Sequence, residues 1–373
     1  MSTFTLSTKP LKNAISLAII DSNVNQFVQK SMAVQLDMVD SVLSITTEAA
    51  AISATVDLHG SQNGDNASAI IDATLFKKFV ATITAQQITL EFQSNCLVVR
   101  TDKSKYTIPK IFDTAQMSLR KPDVSDVSIF DSAKTIDKKA WKFVKDHQLF
   151  ARSQNTEMPV YTFVYAGDGG DILISDYKES IYTHSAISAT PFTDSCLITD
   201  TIVNLFTAMP DGAKIVQDGD SYFVNVHTDG YDYVAQFTPQ YENDAIGSYN
   251  AETIIPLFSI VGKPVSTVQV SEIKAMINQV SLLSNTRDNR IKCEVSADSV
   301  TFTSDNVNCV VPANGGSGDS YSLTLDFAQF KNIIASVPDV TFGITPFIDE
   351  DGEVAGIIIS SSNLTIVVAG LNG

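Results

Sequence analysis

The chain has no run near the ~18 apolar residues of a membrane-spanning helix, although 44% of its 373 residues are hydrophobic. Its first twenty residues, MSTFTLSTKPLKNAISLAII, lack a basic stretch followed by an apolar block, so they do not read as a signal peptide. A cytoplasmic protein is the expectation. The four cysteines, Cys96, Cys196, Cys293 and Cys309, form no CxxC and read as buried thiols rather than as a disulfide framework or a zinc site. The four histidines, His59, His147, His184 and His227, include no i, i+4 pair and no HExxH. No GxxxxGK[ST] and no GxSxG occurs. The Gly-rich GDGGD from Gly167 reads as a hairpin turn, and DEDGE from Asp349 as a solvated hairpin without EF-hand spacing. The lone tryptophan, Trp141, reads as a core residue. Nothing here proposes an enzyme, a metal or a cofactor.

Positive charge is also scarce. There are 25 Lys and Arg against 42 Asp and Glu, a net charge of −17. Taken alone, that argues against nucleic acid, whose phosphates need basic contacts. Where the basic residues sit then matters more than how many there are.

What the sequence does have is repetition. DSVLSITTE from Asp40 and DSVTFTSDN from Asp298 are near-twins, and GGDILISDY from Gly169 lies midway, 129 residues from each. Each reads as a tight turn followed by a half-buried strand. A short helical window follows each time: from Ile71, from Ile198 and from Leu325, spaced by 127 residues. Asp72, Asp200 and Asp326 are placed as N-caps, whose oxygens accept the free amides of a first turn. Phe79, Phe206 and Ile333 fall at equivalent positions, and strands follow from Ile88, Lys214 and Val340. Another helix opens each unit, from Lys9, Asp137 and Ser271. Apolar residues recur there at helical spacing: Leu11, Ile15, Ile19; Ala140, Val144, Leu149; Ile273, Ile277, Val280. A period near 128 is that of a whole domain rather than a solenoid repeat. The expected fold is α+β: three tandem domains (1–122, 123–247 and 248–373), each with two helices against antiparallel sheet.

The helical windows hold ten of the 25 basic residues: Lys9, Lys12, Lys77, Lys78, Lys138, Lys139, Lys142, Lys145, Lys274 and Lys331. Any one of these lysines reads as a solvated face. Their segregation, with the acids on strands and turns, suggests a basic helical surface on an acidic protein. Such a surface suits a polyanion backbone contacted without sequence readout.

This layout resembles the bacterial-type DNA polymerase processivity clamp, the β sliding clamp or β subunit of DNA polymerase III. The resemblance covers the whole chain and is carried by the three-domain plan. Locally it is carried by LLSNTRDNRIKCEVSADSVTFTSDN from Leu282 and by the strands LSITTE and LISDY. It implies a ring of two chains, head to tail, whose helices line a hole threaded by double-stranded DNA. It further implies a joint between the first domain of one chain and the third of the other. That joint would set Leu282 and Leu283 opposite Tyr106 to Phe112. It also implies an apolar pocket for short peptides of DNA polymerase and clamp loader, at Ser175, Tyr177, Lys178, Ser180, Pro256 in a linker, Val367, Ala369 and Leu371. The chain departs from the family at that pocket. It ends Ala-Gly-Leu-Asn-Gly where the family has Met-Pro-Met-Arg-Leu, and has Tyr-Lys-Glu-Ser in place of Gly-His-Arg-Leu. A divergent member, for instance from a virus of bacteria with its own polymerase, fits these departures.

The expected function is therefore a non-catalytic homodimeric clamp that tethers a polymerase to its template. The alternative from another class is a structural or assembly protein, such as a virion component, made of three tandem domains.

Overall fold

The computed structural model describes residues 2–19, 33–49, 52–111, 117–124, 127–176, 178, 180–188, 190–259, 264–283, 289–304, 307–316, 319–349 and 351–371. Among these lie seven α-helices: α1 (Thr8–Ala18), α2 (Ala73–Thr82), α3 (Lys138–His147), α4 (Asp200–Ala208), α5 (Ala251–Ser259), α6 (Val270–Leu283) and α7 (Phe327–Ser336). The strands form antiparallel sheets of five, eight and twelve. The α+β class and the paired-helix plan agree with the sequence expectation.

The chain divides into two compact units, Met1–Trp141 with Asp200–Pro239, and Lys142–Thr199 with Gln240–Gly373. The first holds the sheets of five and eight strands, and the second holds the sheet of twelve. The middle third of the sequence gives strands to both. Lys214–Asp218, Ser221–His227 and Asp232–Phe237 join the eight-stranded sheet, whereas Val164–Ala166, Asp171–Ser175 and Ile181–Ala186 join the twelve-stranded one.

The triplicated strand is a hairpin arm all three times. Ala33–Val39 returns as Val42–Ala49, Val164–Ala166 as Asp171–Ser175, and Arg290–Val295 as Ser299–Ser304. The turns differ in chemistry. Asp40 and Ser41 both have positive φ, 49° and 65°, which is the geometry of a two-residue type I′ turn. GDGGD is the expected hairpin turn, with Gly170 at φ 96°. DEDGE likewise closes a hairpin, in which Asp349 accepts the amides of Asp351 and Glu353.

The helices that follow the hairpins start in register. Asp72 accepts the Leu75 amide at 2.6 Å, and Asp326 accepts the Gln329 amide at 2.8 Å, so both cap as expected. Asp200 sits one position past the cap. It is the first residue inside α4, because the repeat places Thr199, not Asp200, at the cap position. The apolar stripes are buried: Leu11, Ile15, Ile273, Ile277, Phe206 and Ile333 are all under 5% exposed. Trp141 is fully buried and packs on Phe206 with centroids 5.0 Å apart.

Two seams join one repeat to the next. In the first unit, Ile52–His59 pairs with Asp232–Phe237; in the second, Ile181–Ala186 pairs with Thr365–Ala369. Each seam makes one sheet from strands of two repeats. Helix α5 was not expected from the sequence. Pro256, read there as linker, lies inside it. The window Ala251–Ser259 is too short and its proline too central for a sequence pattern to signal a helix.

Because Ser41 has a side chain at φ 65°, it carries a left-handed strain that glycine lacks. Ser41→Gly should raise stability by about 1 kcal/mol. Urea unfolding would measure this, and a loss of stability would contradict the turn geometry.

Candidate functional site

The twelve-stranded sheet carries a hollow of about 150 Å³ on the face of its seam. Antiparallel register explains it. Tyr182, Val367 and Ile358 stand in one cross-strand row, and Ala369, Gly356 and Phe347 in the next. Ser180 lies at the end of that second row, where its carbonyl accepts the Ala369 amide at 2.9 Å. Small residues at Ser180 and Ala369 leave a floor, and Tyr182, Val367 and Phe347 rise beside it. Ile254 and Phe258 of α5 close the remaining side. Gly356 is forced by its surroundings: a Cβ there would come 2.2 Å from the Val368 carbonyl oxygen. The hollow opens from a cluster of buried side chains that includes Tyr161, Tyr165, Leu173 and Tyr249.

Three of the eight pocket residues expected from the sequence come together here: Ser180, Val367 and Ala369. Ser175, Lys178, Pro256 and Leu371 do not line it. Ser175 is fully buried and donates to the Ile181 carbonyl at 2.6 Å, closing the hairpin. Lys178 and Pro256 are exposed, and the Leu371 amide is tied to the Thr324 carbonyl at 2.8 Å. Tyr177 lies outside the described residues. Sequence reasoning missed Tyr182, Ile254, Phe258 and Phe347. Alternation along the strand could have supplied Tyr182, two residues beyond Ser180; nothing in the sequence pairs it with Phe347.

The lysines fall into two kinds. Lys12 donates to the Ala81 carbonyl at 3.1 Å, and Lys77 to the Ile19 carbonyl at 2.8 Å. Each lysine of the α1–α2 pair thus caps the C-terminal end of the other helix, where carbonyls lack partners and the dipole favours a cation. Lys142 pairs with Asp146 one turn on. Lys9, Lys78, Lys139, Lys145, Lys274 and Lys331 are exposed, and Lys138 is half-buried. All ten lie in the expected helical windows.

Several sheet edges are open among the described residues, and two of them matter for the repeat. Lys105–Pro109 ends the five-stranded sheet. Val307–Pro312 pairs with Ser299–Ser304 on one side only, since the Ser266–Gln269 strand joins further along, from Ala313. These edges hold the repeat positions that, elsewhere in the chain, form the seams. Tyr106 on the first is 44% exposed and packs on Phe79 at 4.9 Å, beside a surface hollow of about 400 Å³. Val310 on the second is 63% exposed. Leu282, at the end of α6, is 85% exposed. The Leu283 side chain and Phe112 lie outside the described residues.

This architecture matches that of solved DNA polymerase III β subunits along their whole length. The β subunit of Thermotoga maritima has a TM-score of 0.79 at 12% identity, covering 100% of both chains. The sliding clamp of Bacillus subtilis has 0.76 at 13%, covering 100% of this chain and 99% of that one. The Helicobacter pylori beta clamp, solved with a DNA ligase peptide, has 0.69 at 13%; solved with carprofen it has 0.71 at 13%, and each covers 99% of this chain and 100% of that one. No protein-family model matches the sequence, and no curated relative matches it. The chain therefore has the β-clamp fold with a strongly diverged sequence.

The thiols bear on reactivity. Burial pushes the Cys196 thiol up to about 12, with Asp194 adding to the shift, and does the same for Cys293 beside Glu294. Burial likewise raises Tyr233 and Tyr249, and the Tyr249 hydroxyl donates to the Phe163 carbonyl at 2.6 Å. A thiol is nucleophilic only as thiolate, and at pH 8 these two stay protonated. Iodoacetamide at pH 8 should modify half-exposed Cys309 and spare Cys196 and Cys293, as read by peptide mass spectrometry. Equal labelling of all three would contradict the burial.

Proposed function

We propose that two copies of this chain close head to tail into a ring around duplex DNA and hold a DNA polymerase on its template. In this reading the chain has three domains (1–122, 123–247 and 248–373), works without catalysis of its own, and acts in the cytoplasm. One observation carries the proposal. Among the described residues there are two seams of the same kind, and the repeat leaves one further pair of equivalent edges, Lys105–Pro109 and Val307–Pro312, unjoined. Exposed edges are templates for another strand. A third seam made between copies satisfies both edges twice and generates a closed symmetric dimer.

The side chains near those edges suit such a joint. Leu282 offers a projecting apolar group, and the hollow beside Phe79 and Tyr106 offers a place for one. The helices supply the DNA surface. Six exposed lysines on an otherwise acidic chain give a diffuse attraction to phosphate that leaves no strong contact to break during sliding. The hollow under α5 is then where DNA polymerase and clamp loader dock, each through a short peptide with an apolar anchor. The H. pylori relative, solved with a DNA ligase peptide and with carprofen, makes both ligand types reasonable probes of this hollow.

Loaded onto plasmid by its clamp loader, the protein should stay on a nicked circle and be lost when the plasmid is linearised, as followed by gel filtration. Equal retention on both forms would sink the ring mechanism. Leu282→Asp should weaken the dimer by about thirtyfold, since a central apolar anchor is worth ~2 kcal/mol. Sedimentation velocity at micromolar protein would show monomers; an unchanged dimer would refute this placement of the joint.

A further inference from the structure

The wall of the hollow rests on a residue that does not line it. Phe258 is buried on α5, and its ring stacks on the His184 imidazole with centroids 4.9 Å apart and planes inclined by 23°. His184 is fixed in turn. Its Nε2 lies 2.8 Å from Asp171 Oδ1, across the hairpin pairing in which His184 faces Leu173. His184 also follows Tyr182 by two positions, so both stand on the face that carries the hollow.

Helix α5 needs such a support. It has nine residues, and Pro256 removes one of its backbone donors. Glu252, Thr253 and Pro256 are exposed; Ile254 and Ile255 are half-buried; Ala251 and Phe258 are buried. Phe258 is thus the buried side chain that anchors its last turn among the described residues. A shift of α5 by one ring thickness would either fill the hollow or open it to water.

We infer that His184 is the positioning residue of the hollow: pinned by Asp171, its ring holds Phe258, and with it α5, at the spacing that admits an apolar side chain. The inference rests on the hollow being a ligand site, and it names what sets the shape of that site. An aromatic stack of this kind contributes beyond the area it buries, and its planar face is what a merely volume-filling residue would not reproduce.

The test uses the full-length chain with 13C-labelled isoleucine and valine methyl groups. Ile254 and Val367 line the hollow, and their signals report the Phe258 ring. Carprofen is the titrated probe. His184→Ala should move both methyl signals and weaken carprofen binding by about tenfold. His184→Phe restores the planar face without the Asp171 bond, so it should recover part of the affinity, to within about threefold of wild type. His184→Leu fills the volume without a planar face; it should melt near the wild-type temperature yet bind as weakly as His184→Ala. Unchanged methyl signals in His184→Ala, or wild-type affinity in His184→Leu, would overturn the inference. If the wild-type chain takes up no carprofen, the ligand-site reading fails instead, and the methyl signals still decide whether His184 sets the wall.

Discussion

Backbone hydrogen bonding between the edges of successive repeats is the constraint on which the structure depends. A repeat of about 128 residues ends in a strand whose outer side needs a partner, and begins another edge that needs one too. Twice the chain supplies that partner itself, at Phe237–Ile52 and at Val368–Ile181 and their neighbours. The sheets of eight and twelve strands exist only because of these seams. The hollow sits on one of them, and the proposal of a ring follows from the pair of edges that neither seam uses.

The two seams are alike in backbone and different in side chains. At the first, Gln236 stands on the joined strands and spans the face, accepting the Asp123 amide at 3.1 Å and donating to Ser221 at 3.1 Å. The incoming chain is thereby fastened to the sheet. At the second, small residues leave a floor, and an aromatic on a short helix stands over it. Beside the first seam a polar side chain is tied down by these bonds, and on the second there is room.

Much of this was legible because the repeat was written three times. The near-twins at Asp40 and Asp298 set the period, and the N-caps at Asp72 and Asp326 confirmed it through local hydrogen bonds that a sequence can display. Asp200 misled by one position, since Thr199 can cap too and the acid draws the eye. The hollow was legible only where it continued a strand pattern, at Ser180, Val367 and Ala369. Phe258 and Phe347 reach it through a helix with a central proline and through strand register, and both are products of tertiary pairing rather than of spacing. Lys12 and Lys77 belong to the basic set in sequence, yet each is bonded to a helix end. No count of charges distinguishes a lysine so engaged from a free one.

Gly356 ties the hollow to the assembly of the sheet. Gly356 is the partner of Ala369, which lines the hollow, and its missing side chain is what lets the two strands meet across Val368. Genetic drift can therefore repaint the walls, at Tyr182, Ile254 or Phe347, without touching the fold. It cannot place a side chain at Gly356 without parting the strands. The shape of the walls is accordingly open to change, while the strand pairing beneath Ala369 is not.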